Sequence, residues 1–135
     1  MAKFVATDYN ITINASDFSS SLAAVTLDIT AEEQETTAFG SAWRQRIAGL
    51  KDASVTLDFH QDFASGSVDE TLWSNLGGTV AIVIKPTNAT VTTSNPSYTF
   101  NALVTQTQPV ASSVGDLATM SVTWPVDGAI TRGTA

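Results

Sequence analysis

The chain has no cysteine, one histidine and little charge, and it lacks any long apolar run. Each absence removes a class of protein. Without cysteine there is no disulfide framework and no thiolate metal site. One histidine leaves few routes to nucleophilic or metal-assisted catalysis. Only 14% of the residues are charged, less than a soluble monomer normally shows. No apolar run approaches the length of a membrane-spanning helix. The opening residues MAKFVATDYNITIN have no continuous apolar core, so no signal peptide is expected there. Basic residues are outnumbered: six Lys and Arg against 13 Asp and Glu give a net charge of −7. Generic DNA binding, which needs a basic patch, is excluded. An acidic wall can still surround DNA without holding it, because repulsion keeps the polymer from sticking.

What is present is Ser and Thr in alternating runs. Thr favours strands, and 135 residues suffice for one domain with a real core. Hydroxyl-rich faces of low charge suit surfaces that become buried between subunits. The alternation predicts a first strand over Phe4 to Ile13 and a long second strand over Leu22 to Thr37. The second strand loses its apolar face at Ala31-Glu-Glu-Gln-Glu35, so its far end should project beyond the core. A third strand is expected over Ala53 to Phe63, with Val55, Leu57 and Phe59 on one face and Thr56, Asp58 and His60 on the other. Val80 to Lys85 reads as a strand buried on both sides. Ser97 to Val110 and Leu117 to Val126 complete the set, with Met120, Val122 and Trp124 inward.

Ser67-Val-Asp-Glu70 has the spacing of a capping box, and Gly77-Gly78 would stop a short helix over about 67–77. Trp73 is expected to dock that helix on a sheet. Residues from Asp127 onward read as a loose tail. The expected fold is mainly β: a β-sandwich or partly open barrel of about six strands, one short flanking helix and a long inter-strand loop. A single domain over 1–135 is expected, with no internal repeat.

That loop, about Thr36 to Asp52, is the most informative segment. It holds three of the six basic residues, Arg44, Arg46 and Lys51, and one of the three tryptophans, Trp43. Trp and Arg anchor interfaces, and long loops without structure of their own are uncommon. The loop therefore reads as an assembly device, ordered on a neighbouring subunit. Phe39 and Trp43 would be its apolar contacts. Arg44, Arg46 and Lys51 would meet the nearby acidic run Glu32, Glu33 and Glu35 of another copy.

Other candidate sites are weaker. Asp58, His60 and Asp62 share a strand face, but a structural metal site wants a fourth ligand and no other His or Cys exists. Carboxylates at a strand end are more often solvated than catalytic. Three glycosylation sequons are expected by chance in a chain so rich in Ser and Thr. No phosphate loop, nucleophile elbow or dinucleotide fingerprint appears. No catalytic residue, metal or cofactor is expected. A β-sandwich binding module of carbohydrate-binding or adhesin type is the alternative class. It would need a platform of exposed aromatics, for which Trp43 and Tyr98 are the candidates.

The segment ETTAFGSAWRQRIAGLKDASVTLDFHQDF, the helix with Leu72-Trp73, and NPSYTFNALVTQTQPVASSVGDLATMSVTWPVDG, in that order, resemble the major tail (tail tube) proteins of long-tailed bacteriophages. The likeness is nearest to phages and prophages of actinobacteria. It covers essentially the whole chain. The resemblance implies a structural virion protein, not an enzyme, made in the host cytoplasm. It implies hexameric rings stacked into a tube that delivers DNA, with the long loop touching the adjacent ring. Implied partners are further copies of the chain, tape-measure protein and DNA in the lumen, and tail terminator and distal tail proteins; no membrane is implied. Asp28, Thr30, Asp58, His60 and Asp62 are the expected channel-lining residues.

Overall fold

The computed structural model describes Val5 and residues 7–134. Seven antiparallel strands form one sheet: β1 (Asn10–Ile13), β2 (Ser16–Asp17), β3 (Leu22–Glu35), β4 (Arg46–His60), β5 (Thr79–Lys85), β6 (Ser97–Leu103) and β7 (Thr119–Gly133). A helix, α1 (Val68–Asn75), lies between β4 and β5. The strand order is β2-β1-β5-β6-β7-β4-β3. This is an open sheet with two ends, not a closed barrel. It folds over on itself through β7. Residues Thr119 to Pro125 of that strand pair with β4, and Val126 to Gly133 pair with β6. The two halves of the sheet thus share one strand and one core.

Period-two alternation explains which side chains enter that core. Val55, Leu57 and Phe59 of β4 and Met120, Val122 and Trp124 of β7 are all buried, as the sequence predicts. Ile11 and Ile13, Val80, Ile82 and Ile84, and Phe100 and Ala102 close it from the other half. The strand at Val80 to Lys85 is buried on one face only: Val80, Ile82 and Ile84 point inward while Ala81 is exposed. From α1, Val68 and Leu72 dock on the core at helical spacing i, i+4. Trp73, one residue further round the helix, is 66% exposed and does not dock.

Ser67 is the N-cap, but no capping box forms. Its hydroxyl donates instead to Asp62 Oδ2 at 2.7 Å, and Asp62 Oδ1 accepts from Ala64 N–H. The helix start is therefore braced from the end of β4. At the other end Gly77, at φ +84°, turns the chain back. Its N–H donates to Val104 C=O, and Val104 N–H donates to Gly78 C=O.

Several expected boundaries move. The first strand forms only from Asn10; Phe4 lies outside the described residues. The long loop is shorter than expected. Arg46 to Asp52 is strand, continuous with the rest of β4, so only residues 36–45 connect β3 to β4. The ladder runs out to Glu35 opposite Arg46, with a bulge where Glu32 alone faces Gly49 and Leu50. A Cβ on Gly49 would sit 3.4 Å from Glu32 Cβ, so glycine suits that crowded crossing. The residues after Asp127 are not a loose tail. Gly128, at φ +91°, lies in a bulge of β7. Thr99 faces Thr131 and Asn101 faces Asp127, so β7 absorbs the extra residues and continues to Gly133.

Near the start of the chain, Asn10 is buried and donates toward Asp17, Ser19 and Asn88. Asp17 Oδ1 accepts from Ser19 N–H at 2.8 Å. The Ser19 hydroxyl and N–H hold the Asp17 carboxyl below its ordinary 3.8, against a smaller opposing effect of burial. A depressed folded value stabilises above the unfolded value, and that stability disappears as pH falls through the folded one. Asp17→Asn should therefore lower stability at neutral pH, where the ionised carboxylate contributes, and flatten the further loss below about pH 4. Urea midpoints measured from pH 2 to 7 would show this; an unaltered acid slope would exclude Asp17 as a contributor.

Candidate assembly surface

Beyond about Asp28 the β3–β4 pair leaves the core. Every residue from Asp28 to Asp52 is exposed. The result is a projecting two-stranded arm, closed by a tip at residues 36–45. Isolated hairpins are marginal in water, so this one needs internal support. It has some. Thr36 N–H donates to Gln45 C=O at 2.8 Å, and Gln45 N–H donates to Thr37 Oγ1 at 2.8 Å. Gly40, at φ +93°, allows the tight turn. Ion pairs join Arg44 to Glu35 and Arg46 to Glu33 across the strands. The residues expected to pair between copies thus pair within one arm, and the tip is hydrogen-bonded without a neighbour. All four partners are solvated, so these pairs contribute little stability.

What the arm does not satisfy is its apolar surface. Phe39 and Trp43 at the tip are 110% and 85% exposed, and Ile47 and Leu50 on β4 are exposed as well. Glu32 meets Gln34, and Lys51 makes no ion pair among the described residues. Exposed aromatics on a thin arm are poor for a solitary subunit and good for a docking element. At the base of the arm, where β4 and β7 diverge, a cleft of about 720 Å³ opens between Ile29, Lys51, Tyr98, Val126, Ile130 and Arg132. The sequence reading missed it because its β7 side lay in the presumed tail.

The second feature is a flat polar face on β3, β4 and β7. Thr26, Thr56 and Thr123 lie side by side, and the hydroxyls of Thr56 and Thr123 are 3.1 Å apart. Asp28 sits beside Ser54, Thr30 beside Asp52, Asp58 beside Ser121 and His60 beside Thr119. Four of the five expected channel-lining residues, Asp28, Thr30, Asp58 and His60, are therefore brought onto one face, which carries no Lys or Arg among these positions. Asp62 is not with them. It lies past the end of β4, where Ala64 N–H and the Ser67 hydroxyl lower its pKa. No group of three or more His, Cys, Asp and Glu able to hold a metal occurs among the described residues.

The third feature is a pair of sheet edges. Among the described residues no strand pairs with the outer edge of β3. On the far side of the β3-β4-β7 unit, Ser121 and Thr123 turn their N–H groups away from β4. These donate to the side-chain carbonyls of Gln108 and Gln106, each at 3.3 Å. The segment supplying them, residues 104–110, was expected to be strand and is not. Its alternating Gln106-Thr-Gln108 is the signal that could have revealed the role.

No protein-family model and no curated protein matches the sequence. Among solved structures, the fold is similar to a chain in the virion of a native gene transfer agent particle, with a TM-score of 0.75 at 17% identity over 94% of this chain and 96% of that one. It is also similar to a chain in the tail of an empty gene transfer agent particle with C6 symmetry, with a TM-score of 0.61 at 20% identity over 85% and 83%. These likenesses establish a shared fold over nearly the full length of both chains. No helix among the described residues is long and apolar enough to cross a membrane.

Proposed function

We propose that this chain is a non-enzymatic structural subunit of a phage-like tail tube, assembled as hexameric rings stacked around a DNA channel within the virion. The observation that carries this reading is the fold shared along almost its entire length with a virion chain of a gene transfer agent. The C6 symmetry of the related tail supports six as the ring number. Physical features support the same reading. An open, unprotected 14-residue edge such as β3 invites aggregation, and closing a ring of identical subunits removes it.

In this arrangement the polar face around Thr26, Thr56 and Thr123 lines the channel. Asp28 and Asp58 make it repel phosphate, while hydroxyls offer no cation to trap a passing duplex. The arm, through Phe39, Trp43, Arg44, Arg46 and Lys51, reaches the next ring and meets acidic residues such as Glu32 there. DNA and tape-measure protein occupy the lumen, and terminator and distal tail proteins cap the ends. The binding-module alternative lacks support: Trp43 is on the arm tip, whereas Tyr98 is on β6 and half-buried.

Negative-stain microscopy and solution mass test the proposal together. Hollow tubes or six-membered rings of the purified chain are expected. A monomer persisting at every concentration and salt condition would refute it.

A further inference from the structure

Side chains, not main chain, close one edge of the β3-β4-β7 unit. No main-chain hydrogen bond joins residues 104–110 to β7 among the described residues. Only the carboxamides of Gln106 and Gln108 reach the N–H groups of Thr123 and Ser121, at 3.3 Å each. The segment itself is tethered elsewhere. Trp124 Nε1–H donates to Gln106 C=O at 2.9 Å, and Gln61 Nε2–H donates to Pro109 C=O at 3.0 Å. The two glutamine side chains could therefore swing away while their backbone stays anchored.

The opposite edge of the same unit is the natural replacement. Antiparallel ladders alternate, so the register fixes which groups of β3 face outward. Since Ser121 and Thr123 face away from β4, Val122 and Trp124 bond to Leu57 and Val55. Thr56 and Asp58 then face β3, and Val25 and Leu27 turn their N–H and C=O to the open side. Those carbonyls are strong acceptors without main-chain partners among the described residues, and Ser121 and Thr123 need such acceptors.

Side chains match as well. On one face, Thr26 and Asp28 would continue the row of Thr119, Ser121 and Thr123. The segment Thr119 to Pro125 has no charged residue, so Asp28 meets no like charge. On the other face, half-buried Val25 and Leu27 would join Met120, Val122 and Trp124.

We propose that Gln106 and Gln108 form a temporary cover over the β7 edge, and that the β3 edge of a second copy displaces their side chains to join the two sheets head to tail. This rests on the tube reading and adds a control to it. The cover keeps a free subunit from pairing at random, and exchange of two side-chain bonds for a main-chain ladder drives closure.

Two experiments test the proposal. The first compares wild type with the Gln106→Ala/Gln108→Ala double variant by light scattering during assembly, with circular dichroism as the check on folding. An uncovered edge should assemble with a lag several-fold shorter or at a several-fold lower threshold concentration. A folded variant with unchanged or slower assembly overturns the cover.

The second uses the absence of native cysteine. Thr26→Cys is combined in turn with Thr119→Cys, Ser121→Cys and Thr123→Cys, with single-cysteine variants as controls. Within one copy β4 lies between these strands. Their Cα atoms are then about 10 Å apart, two strand spacings, which is beyond disulfide reach. Mild oxidation should give a ladder of covalent oligomers for at least one pair. No ladder from any pair overturns the edge pairing, and it decides the matter even if the glutamine variant does not fold. Wild-type tubes without a ladder sink this inference alone; wild type that forms neither rings nor tubes sinks the tube reading with it.

Discussion

Trp124→Ala is expected to cost about 3–5 kcal/mol of folding stability, the range for deleting a fully buried large aromatic. The side chain is completely buried at the point where the two halves of the sheet meet, and its indole N–H holds Gln106 C=O. Removing it opens a cavity and leaves that carbonyl without its donor. At about 2–8 °C per kcal/mol for domains near this size, the melting point should fall by roughly 6 °C or more. Trp124→Phe separates the two effects. It retains most of the volume but loses the hydrogen bond, so a smaller loss of about 1–2 kcal/mol is expected. Urea denaturation measures both. A loss below about 1 kcal/mol for the alanine variant would contradict the central packing role assigned to this residue.

Trp43→Ala should do the reverse, leaving the fold intact and stopping polymerisation. The side chain is 85% exposed on the arm and touches no core, so circular dichroism and the urea midpoint should stay as in wild type. At an interface, loss of an aromatic anchor costs about 2 kcal/mol or more. A ring engages many copies of the same contact, so a modest loss per contact compounds along the polymer. Microscopy should show single subunits or single rings where wild type gives tubes. Phe39→Ala should act in the same direction. Normal tubes from Trp43→Ala would remove the anchor role, and an unfolded variant would contradict the exposure seen on the arm.

The contrast between these two tryptophans also shows what was legible in the sequence. Trp124 follows Met120 and Val122 at strict period two, and that pattern alone assigns it to the core. Trp73 shows where local pattern fails. It was expected to dock α1, but Val68 and Leu72 take that place because an eight-residue helix has room for one inward pair. Arg46 to Asp52 was read as loop because it lacks alternation. Nothing buries it, so no periodicity could mark it. Its strand character comes from the ladder to Glu33, Gln34 and Glu35, a partnership invisible in one segment read alone. The residues from Asp127 onward, read as a loose tail, misled for a related reason. No core alternation marks them, yet β6 lies alongside and holds the chain through the bulge. The placing of Asp58 and His60 on one polar face was legible because they alternate with the buried Leu57 and Phe59, and Asp28 and Thr30 follow from the same period-two pattern along the exposed part of β3. The cleft at Tyr98 and the glutamine cover depend on how distant segments meet, which the sequence order does not state.

The sharing of β7 between the two halves of the sheet has a mechanical consequence. In the proposed tube each subunit would bear load along and across the wall. In most two-layered β-proteins the layers are joined by loops, so tension can peel one from the other a bond at a time. Here a single covalent strand is stitched into both ladders, to β4 over Thr119 to Pro125 and to β6 from Val126 onward. A force pulling the halves apart acts along that strand and must shear several hydrogen bonds together. The subunit should therefore yield as one unit at a high force, with no half-opened state on the way.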